Sequence, residues 1–277
     1  MISSRLGCLV LIAAASAAPA VAQTDTPFAP AAPDLRGERL RPFDGYDDFG
    51  GDGVRTMGAF PRNLGRGLVS VFGRDSVRPF LLGAVAAGAS SFADTRVQNG
   101  FAGHSQGFGN FGAKAGGASV MAPLTAGLFL VGRASHDTRF RAATYDVAQA
   151  AIISTFYTTT FKSAARRSRP DGSNRLSFPS GHTSSAFAMA SVFDAHYGPK
   201  VGIPAYAAAA AIGLSRMESN KHHLSDVLAG ATLGYLVGHS VARSNGLPSR
   251  GREARFELTP STDANGSGVG AGFSYSW

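Results

Sequence analysis

The chain has 277 residues, 44% of them hydrophobic and 16% charged, with a net charge of +8 and a single cysteine. That length supports one large domain with its own core, and a lone cysteine excludes a fold stapled by internal disulfides. A basic excess of this size suits an anionic partner: nucleic acid, a lipid surface or a phosphorylated substrate.

In chain order, residues 1–22 read as a secretory signal peptide. Arg5 gives the positive start, Leu6–Ala18 the apolar stretch, and Ala20-Val21-Ala22 a small-residue cleavage site. The alternative is an uncleaved anchor. Cleavage removes Cys8 and implies an exported chain, periplasmic or membrane-associated on the periplasmic side, which argues against genomic nucleic acid as a partner. Residues 23–60 are rich in Pro, Gly and Asp without periodicity, and read as a linker or arm. The acidic run "DGYDDFGGDG" at 44–53 lacks the EF-hand spacing and its closing Glu, so it reads as an acidic turn.

A helical domain is expected over 61–243. Leu64, Leu68, Val71 and Phe72 share one face of a helix over 61–74, either lying on anionic lipid or packed on its own domain. Six apolar segments of helical length follow, at about 79–93, 117–132, 145–161, 183–196, 201–214 and 226–242. The fold class predicted is all-α, a six-helix bundle. Each uninterrupted apolar run is about 13–16 residues, short of the ~20 that cross a bilayer, and mean hydropathy is near zero. A soluble bundle and a membrane bundle of short spans both fit. Gly230, Gly234 and Gly238 recur every fourth residue, a stripe suited to close helix contact.

Between the first two segments, "NGFAGHSQGFGNFG" at 99–112 reads as a glycine loop. Its Phe101, Phe108 and Phe111 either grip an apolar substrate tail or pack back on the bundle. The tail, 244–277, alternates Val269, Ala271, Phe273, Tyr275 and Trp277 on one face and is expected to form a small β-hairpin packed on the body.

Three blocks carry the chemistry: "KSAARRSRP" from Lys162 to Pro170, "PSGH" at 179–182, and "SRMESNKHHLSD" from Ser215 to Asp226. Taken singly, each has a structural explanation: a solvated helix end, a turn, a surface His–Asp contact. Together they fit the holding and cleavage of a phosphate ester. Lys162, Arg169 and Arg216 supply three cations for the phosphoryl oxygens, two of them guanidinium forks. Free backbone N–H groups around Ser180 and Gly181, at the start of the next helix, form an anion cradle, with the Ser180 hydroxyl as a further donor.

His222 lies four residues before Asp226, one helical turn, so the carboxylate can fix its tautomer and leave the other ring nitrogen to attack phosphorus. His182, at the cradle, can protonate the departing alkoxide and then deprotonate water. His223 is a bystander, with an exchange of roles as the alternative. No metal or cofactor is expected, because the fixed cations do that work.

These blocks, Lys-x6-Arg-Pro, Pro-Ser-Gly-His and Ser-Arg-x5-His-x3-Asp, resemble the signature of the type 2 phosphatidic acid phosphatase and vanadium haloperoxidase superfamily. The resemblance implies a helical bundle of the acid phosphatase/vanadium haloperoxidase type and a phosphohistidine on His222. It also implies His182 as acid then base, Asp226 as the orienting carboxylate, and Lys162, Arg169, Ser180, Gly181 and Arg216 as phosphate ligands. The link from Pro170 to Pro179 is shorter than in many members and leaves little room for an insert there. The activity expected is a metal-independent phosphatase acting on phosphorylated lipids or small phosphate esters, with a membrane surface as a further candidate partner. The alternatives are a vanadium-dependent haloperoxidase and a non-catalytic anion-binding envelope protein.

Overall fold

The computed structural model describes residues 53–247 with their side chains and, as backbone, 255–262 and 269–276. The signal peptide and most of the expected arm lie outside the described residues. The chain divides into Met1–Phe43 and Asp44–Trp277, and the described residues all belong to the second unit.

Nine helices occur among the described residues: α1 (Phe60–Ser70), α2 (Arg74–Ser91), α3 (Asp94–Phe101), α4 (Gln106–Ala115), α5 (Ala118–Ala134), α6 (Thr138–Ala165), α7 (Gly181–Tyr197), α8 (Pro199–Glu218) and α9 (Leu224–Ser244). Local chemistry sets several of their ends. Ser105 caps α4 by accepting from the Phe108 N–H, and Asp137 caps α6 by accepting from the Phe140 N–H. Between α7 and α8, Gly198 takes a positive φ of 79° and Pro199 opens the next helix.

Helix α7 is the hub. It packs on α6, α8 and α9, while α2 covers α9, α4 covers α8 and α5 covers α6. The main core joins Val147, Ala150 and Ile153 of α6, Ala188 and Val192 of α7, and Leu233, Val237 and Val241 of α9. Ala186 and Ala190 on the next face of α7 meet Ala209 and Ile212 of α8. Apolar side chains also face outward: Leu82 and Val85 on α2, Leu130 and Val131 on α5, and Ile203 on α8 are all more than half exposed. No single described helix is long and apolar enough to cross a membrane, although α4 and α5 together, bent by 42°, meet that test.

The glycine stripe of α9 does what its spacing predicts. A Cβ on Gly230 would stand 2.5 Å from the Ser180 carbonyl oxygen, and one on Gly234 or Gly238 would collide with the Ser184 or Ala188 carbonyl. The backbones of α7 and α9 therefore touch along their length.

Three expectations change. The glycine loop at 99–112 is mostly helix, the end of α3 and the body of α4. Two of its glycines are contact points: a Cβ on Gly109 would lie 2.6 Å from Ser219 Oγ, and one on Gly112 would collide with Ser215 on α8. Residues 53–59 of the expected arm belong to the helical body. Arg55 is buried and donates from Nε (3.0 Å) and Nη2 (2.9 Å) to Asp146, which also meets His196 Nε2 at 2.8 Å and accepts from Asn245 Nδ2 at 2.7 Å. The helix expected over 61–74 ends at Ser70 and lies on its own domain: Leu64 and Leu68 pack on the core and Val71 enters it.

At the C-terminus, Arg255–Thr262 (β1) pairs antiparallel with Val269–Ser276 (β2). The side chains of this pair, and the expected packing of a hairpin against the body, lie outside the described residues.

The α7–α9 contact gives a direct test. Gly234→Ala forces two backbones apart and is expected to cost about 1–3 kcal/mol, the scale of overpacking, read as a lower midpoint of thermal unfolding. Gly88→Ala on α2, where a Cβ meets nothing within 4 Å, should leave that midpoint unchanged or raise it through helix propensity.

Candidate active site

The three blocks meet at one end of the helical body. Lys162 sits in the last turn of α6, and Arg166, with φ at 45°, ends that helix in a left-handed turn. The segment 166–180 then crosses to α7, pinned by the Asp171 N–H donating to the Asn220 carbonyl at 3.1 Å and by a Lys221–Asp171 ion pair. This carries Arg169 to the last turn of α8, where Arg216 lies. Ser180, Gly181 and His182 open α7, and His222 and His223 precede α9, with Asp226 in its first turn.

Close contacts define the pocket. A Cβ on Gly181 would lie 3.3 Å from Thr158 Cγ2 and 3.8 Å from Lys162 Cε, so only glycine keeps this approach open beside the ammonium. Lys162 Nζ donates to the Leu176 carbonyl at 2.6 Å. On the other side, the Gly116–Gly117 turn between α4 and α5 lies against His182. A Cβ on Gly116 would approach the His182 Cβ to 3.1 Å, and one on Gly117 would stand 3.6 Å from its Nε2.

The electrostatics are those of cations crowded without enough counter-charge. Burial, then the neighbouring Arg169, pushes the Lys162 ammonium down to about 8 against the pull of Asp226. Burial and Arg169 likewise lower Arg216. Burial, then Arg216 and His222, pushes His182 down to about 4, opposed by its hydrogen bond to the Ala113 backbone. His222 is lowered by burial, with Lys162 and Arg169 adding to the effect and Asp226 opposing it. Both imidazoles are therefore neutral at neutral pH. Burial alone would raise Asp226, yet His222, Ser177 and Arg167 hold its carboxyl down at about 2. Buried Nε and Nη1 of Arg216, Nε of Arg169 and Nδ1 of His222 find no hydrogen-bond partner in the protein. Unpaired donors of this kind are costly, and an oxyanion at this spot would satisfy those of the two guanidinium groups, whereas His222 Nδ1 faces Asp226 Oδ2 at 3.8 Å.

All eight expected residues gather here, with two corrections of detail. The Ser180 N–H is not free for an anion, because it donates to the Asp226 carbonyl at 2.9 Å. The Ser180 hydroxyl accepts from Thr183 Oγ1 at 2.9 Å and does not cap α7. The backbone donors left to a cradle are therefore the next ones, at the start of α7. His222 and Asp226 also do not share a helical turn, since α9 begins at Leu224. Asp226 instead receives the His223 N–H at 2.9 Å and Ser177 Oγ at 2.5 Å on Oδ2, and His222 Nδ1 stands 3.8 Å from that oxygen.

Sequence reasoning missed Arg167, which donates to Asp226 Oδ1 at 2.7 Å, and Asp94, which pairs with Arg167 at 2.6 Å. Arg167 lies inside the first block as one of three arginines in four positions, with nothing local to single it out.

Residues 144–247 match the PAP2 superfamily. Over 75 residues the chain is 48% identical to a lipid A 1-phosphatase of Porphyromonas gingivalis, a stretch that is 26% of this chain and 17% of that relative's length. In three dimensions it is similar to a transmembrane PAP2 type phosphatidylglycerolphosphate phosphatase from Bacillus subtilis, with a TM-score of 0.51 and 23% identity. That likeness covers 64% of this chain and 98% of the other, and it gives the helical body the PAP2 fold.

The lowered Lys162 gives a pH test of anion binding at this candidate site. A lysine depressed to about 8 is charged below that pH and neutral above it. Affinity for inorganic phosphate, measured by calorimetry, should fall as pH rises through about 8, and Lys162→Arg should carry undiminished binding to higher pH, since a guanidinium keeps its proton.

Proposed function

We propose that this chain is a metal-independent phosphatase that hydrolyses phosphate monoesters of lipids through a phosphohistidine on His222. The observation that carries this reading is the convergence of Lys162, Arg169 and Arg216, with partnerless buried donors among them, beside two neutral imidazoles. Three fixed cations supply the charge stabilisation a transferring phosphoryl group needs.

In the first step the His222 ring nitrogen away from Asp226 attacks phosphorus, forming P–N as the ester P–O bond breaks. His182 gives its proton to the departing alkoxide. In the second, water passes a proton to His182, its oxygen attacks phosphorus, and the P–N bond breaks to release phosphate and neutral His222. In the free site His182 is held down at about 4. A phosphomonoester, with a second pKa of about 6, brings both the proton and the negative charge that raise the imidazole toward its acid role.

The lipid class is supported by the similarity to a lipid A 1-phosphatase and by the outward apolar side chains of α2, α5 and α8. Those faces suit contact with a membrane on the side to which residues 1–22 would export the chain, the periplasmic side. We read α2 and α5–α9 as the six helices of the phosphatase bundle, with α1, α3 and α4 added to it and the terminal strands as an appended hairpin.

His222→Ala is expected to lower kcat at least about 10³-fold while phosphate binding persists. His182→Ala should slow alkyl phosphates far more than p-nitrophenyl phosphate, up to the roughly 10²- to 10⁴-fold that general acids contribute. Turnover by wild type should survive EDTA and be inhibited by vanadate. Full activity in His222→Ala would remove the nucleophile assignment.

A further inference from the structure

The Asp226 carboxylate is committed before it reaches any histidine. Ser177 Oγ and the His223 N–H occupy Oδ2, and Arg167 Nη1 occupies Oδ1 at 2.7 Å. The other end of the same guanidinium meets Asp94 Oδ2 at 2.6 Å, and Nη1 also donates to Ser225 Oγ at 2.6 Å. Asp94, the first residue of α3, in turn accepts from the Ser225 N–H at 3.0 Å and from Ser225 Oγ at 2.5 Å. One arginine thus bridges two buried carboxylates across the start of α9. Three of its five N–H donors are thus engaged by Asp226, Ser225 and Asp94.

We propose that Arg167, anchored by Asp94, is a positioning residue that fixes the Asp226 carboxylate and through it orients His222 for attack. Resting on the phosphatase reading, the inference adds α3 and the interior of the first block to the catalytic apparatus. Without Arg167 the carboxylate would keep the two donors on Oδ2, lose the one on Oδ1, and act on His222 with its full charge. Arg167 completes the hold by fixing the second oxygen, and it offsets the charge. The charged and titratable groups that face this pair are Lys162 on α6, Arg167 and Arg169 after it, His182 on α7, Arg216 on α8 and Asp94 on α3. Apart from Asp94 none of these adds negative charge, so removing Arg167 strengthens the hold of Asp226 on a proton at His222.

The sign follows. In Arg167→Ala a protonated His222 is stabilised, and the acid limb of kcat/KM moves to higher pH by about one unit, the scale of losing one charge at this range. At the optimum kcat falls about 10- to 100-fold, as when an outer partner of a catalytic group is lost, with KM nearly unchanged. Arg167→Lys keeps the charge and loses the fork, so kcat falls while the acid limb stays in place.

The test is a pH profile of kcat and KM for p-nitrophenyl phosphate with the full chain and both variants, alongside His222 ring-proton titration by NMR. A raised acid limb and a raised His222 titration in Arg167→Ala support the proposal. A raised KM with unchanged kcat identifies Arg167 as a phosphate ligand and overturns it, as does a folded Arg167→Ala with a wild-type profile. If Arg167→Ala does not fold, Arg167→Lys decides: reduced kcat with the limb in place supports positioning, and unchanged kcat overturns it. A wild-type chain that hydrolyses no phosphate ester removes the phosphatase reading, and the NMR titration alone then decides whether Arg167 governs His222.

Discussion

The close approach of α7 to α9 is the constraint on which the rest depends. Helix backbones normally sit 8–10 Å apart at their axes, held off by side chains. Here Gly230 brings the backbone of α9 onto Ser180 itself, and the Ser180 N–H closes the contact by donating to the Asp226 carbonyl at 2.9 Å. That hydrogen bond joins the start of α7, which carries His182, to the start of α9, which follows His222. Two imidazoles that come from separate stretches of sequence are placed by backbone contacts, whose geometry does not depend on side-chain rotamers. A site meant to hold reacting atoms in register gains from being built this way.

Once that frame is set, the charges follow. Three cations and two histidines crowd together, Arg216 and His222 buried and the others half-buried, and burial with mutual repulsion lowers Lys162, Arg216, His182 and His222 together. Such an arrangement is unfavourable for the protein alone and favourable for an anion, which is how a binding site differs from a stabilising ion-pair cluster. The lowering also sorts the roles. If His222 is to attack phosphorus it must be neutral, and burial first, with Lys162 and Arg169 adding to it, favours that form against the pull of Asp226.

What the sequence made legible, and what it did not, divides along the same line. The three blocks were readable because each is local: residue type and spacing alone put Lys162, Arg169, His182, Arg216, His222 and Asp226 in the right order, and the blocks need only meet. The glycine stripe was readable for the same reason. The stretch 99–112 misled because glycine marks both loops and tight helix contacts, and only the partner, Ser215 and Ser219 on α8, tells which. Arg55 was lost in a Pro/Gly-rich stretch whose composition says nothing of Asp146, 91 positions away. Arg167 and Asp94, 73 positions apart, have no meaning until the fold puts α3 against α9. The free Ser180 N–H was a sound expectation for a helix start, overturned by a neighbour from another helix.

The far end of the body shows why the site holds its shape. Asp146, with Arg55, His196, Asn245 and Gln149 around it, forms a buried polar cluster away from the phosphate cradle. On α6, Asp146 and Lys162 are separated by about 24 Å of helix, and on α7, His196 and His182 by about 21 Å, at 1.5 Å per residue. Asn245 stands just past the end of α9, whose first turn carries Asp226. Each of the three central helices is therefore tied at both ends, once by the polar cluster and once by the site. A buried polar network adds little net stability compared with apolar packing, but it strongly penalises a wrong register, because a helix slid by one turn leaves Asp146 as an unpaired buried charge. Apolar packing between small side chains such as Ala150, Ala188 and Ala190 cannot supply that discrimination alone, since one alanine resembles the next. The polar cluster supplies the register, the glycine stripe the spacing, and together they determine where the catalytic ends of α6, α7 and α9 come to rest.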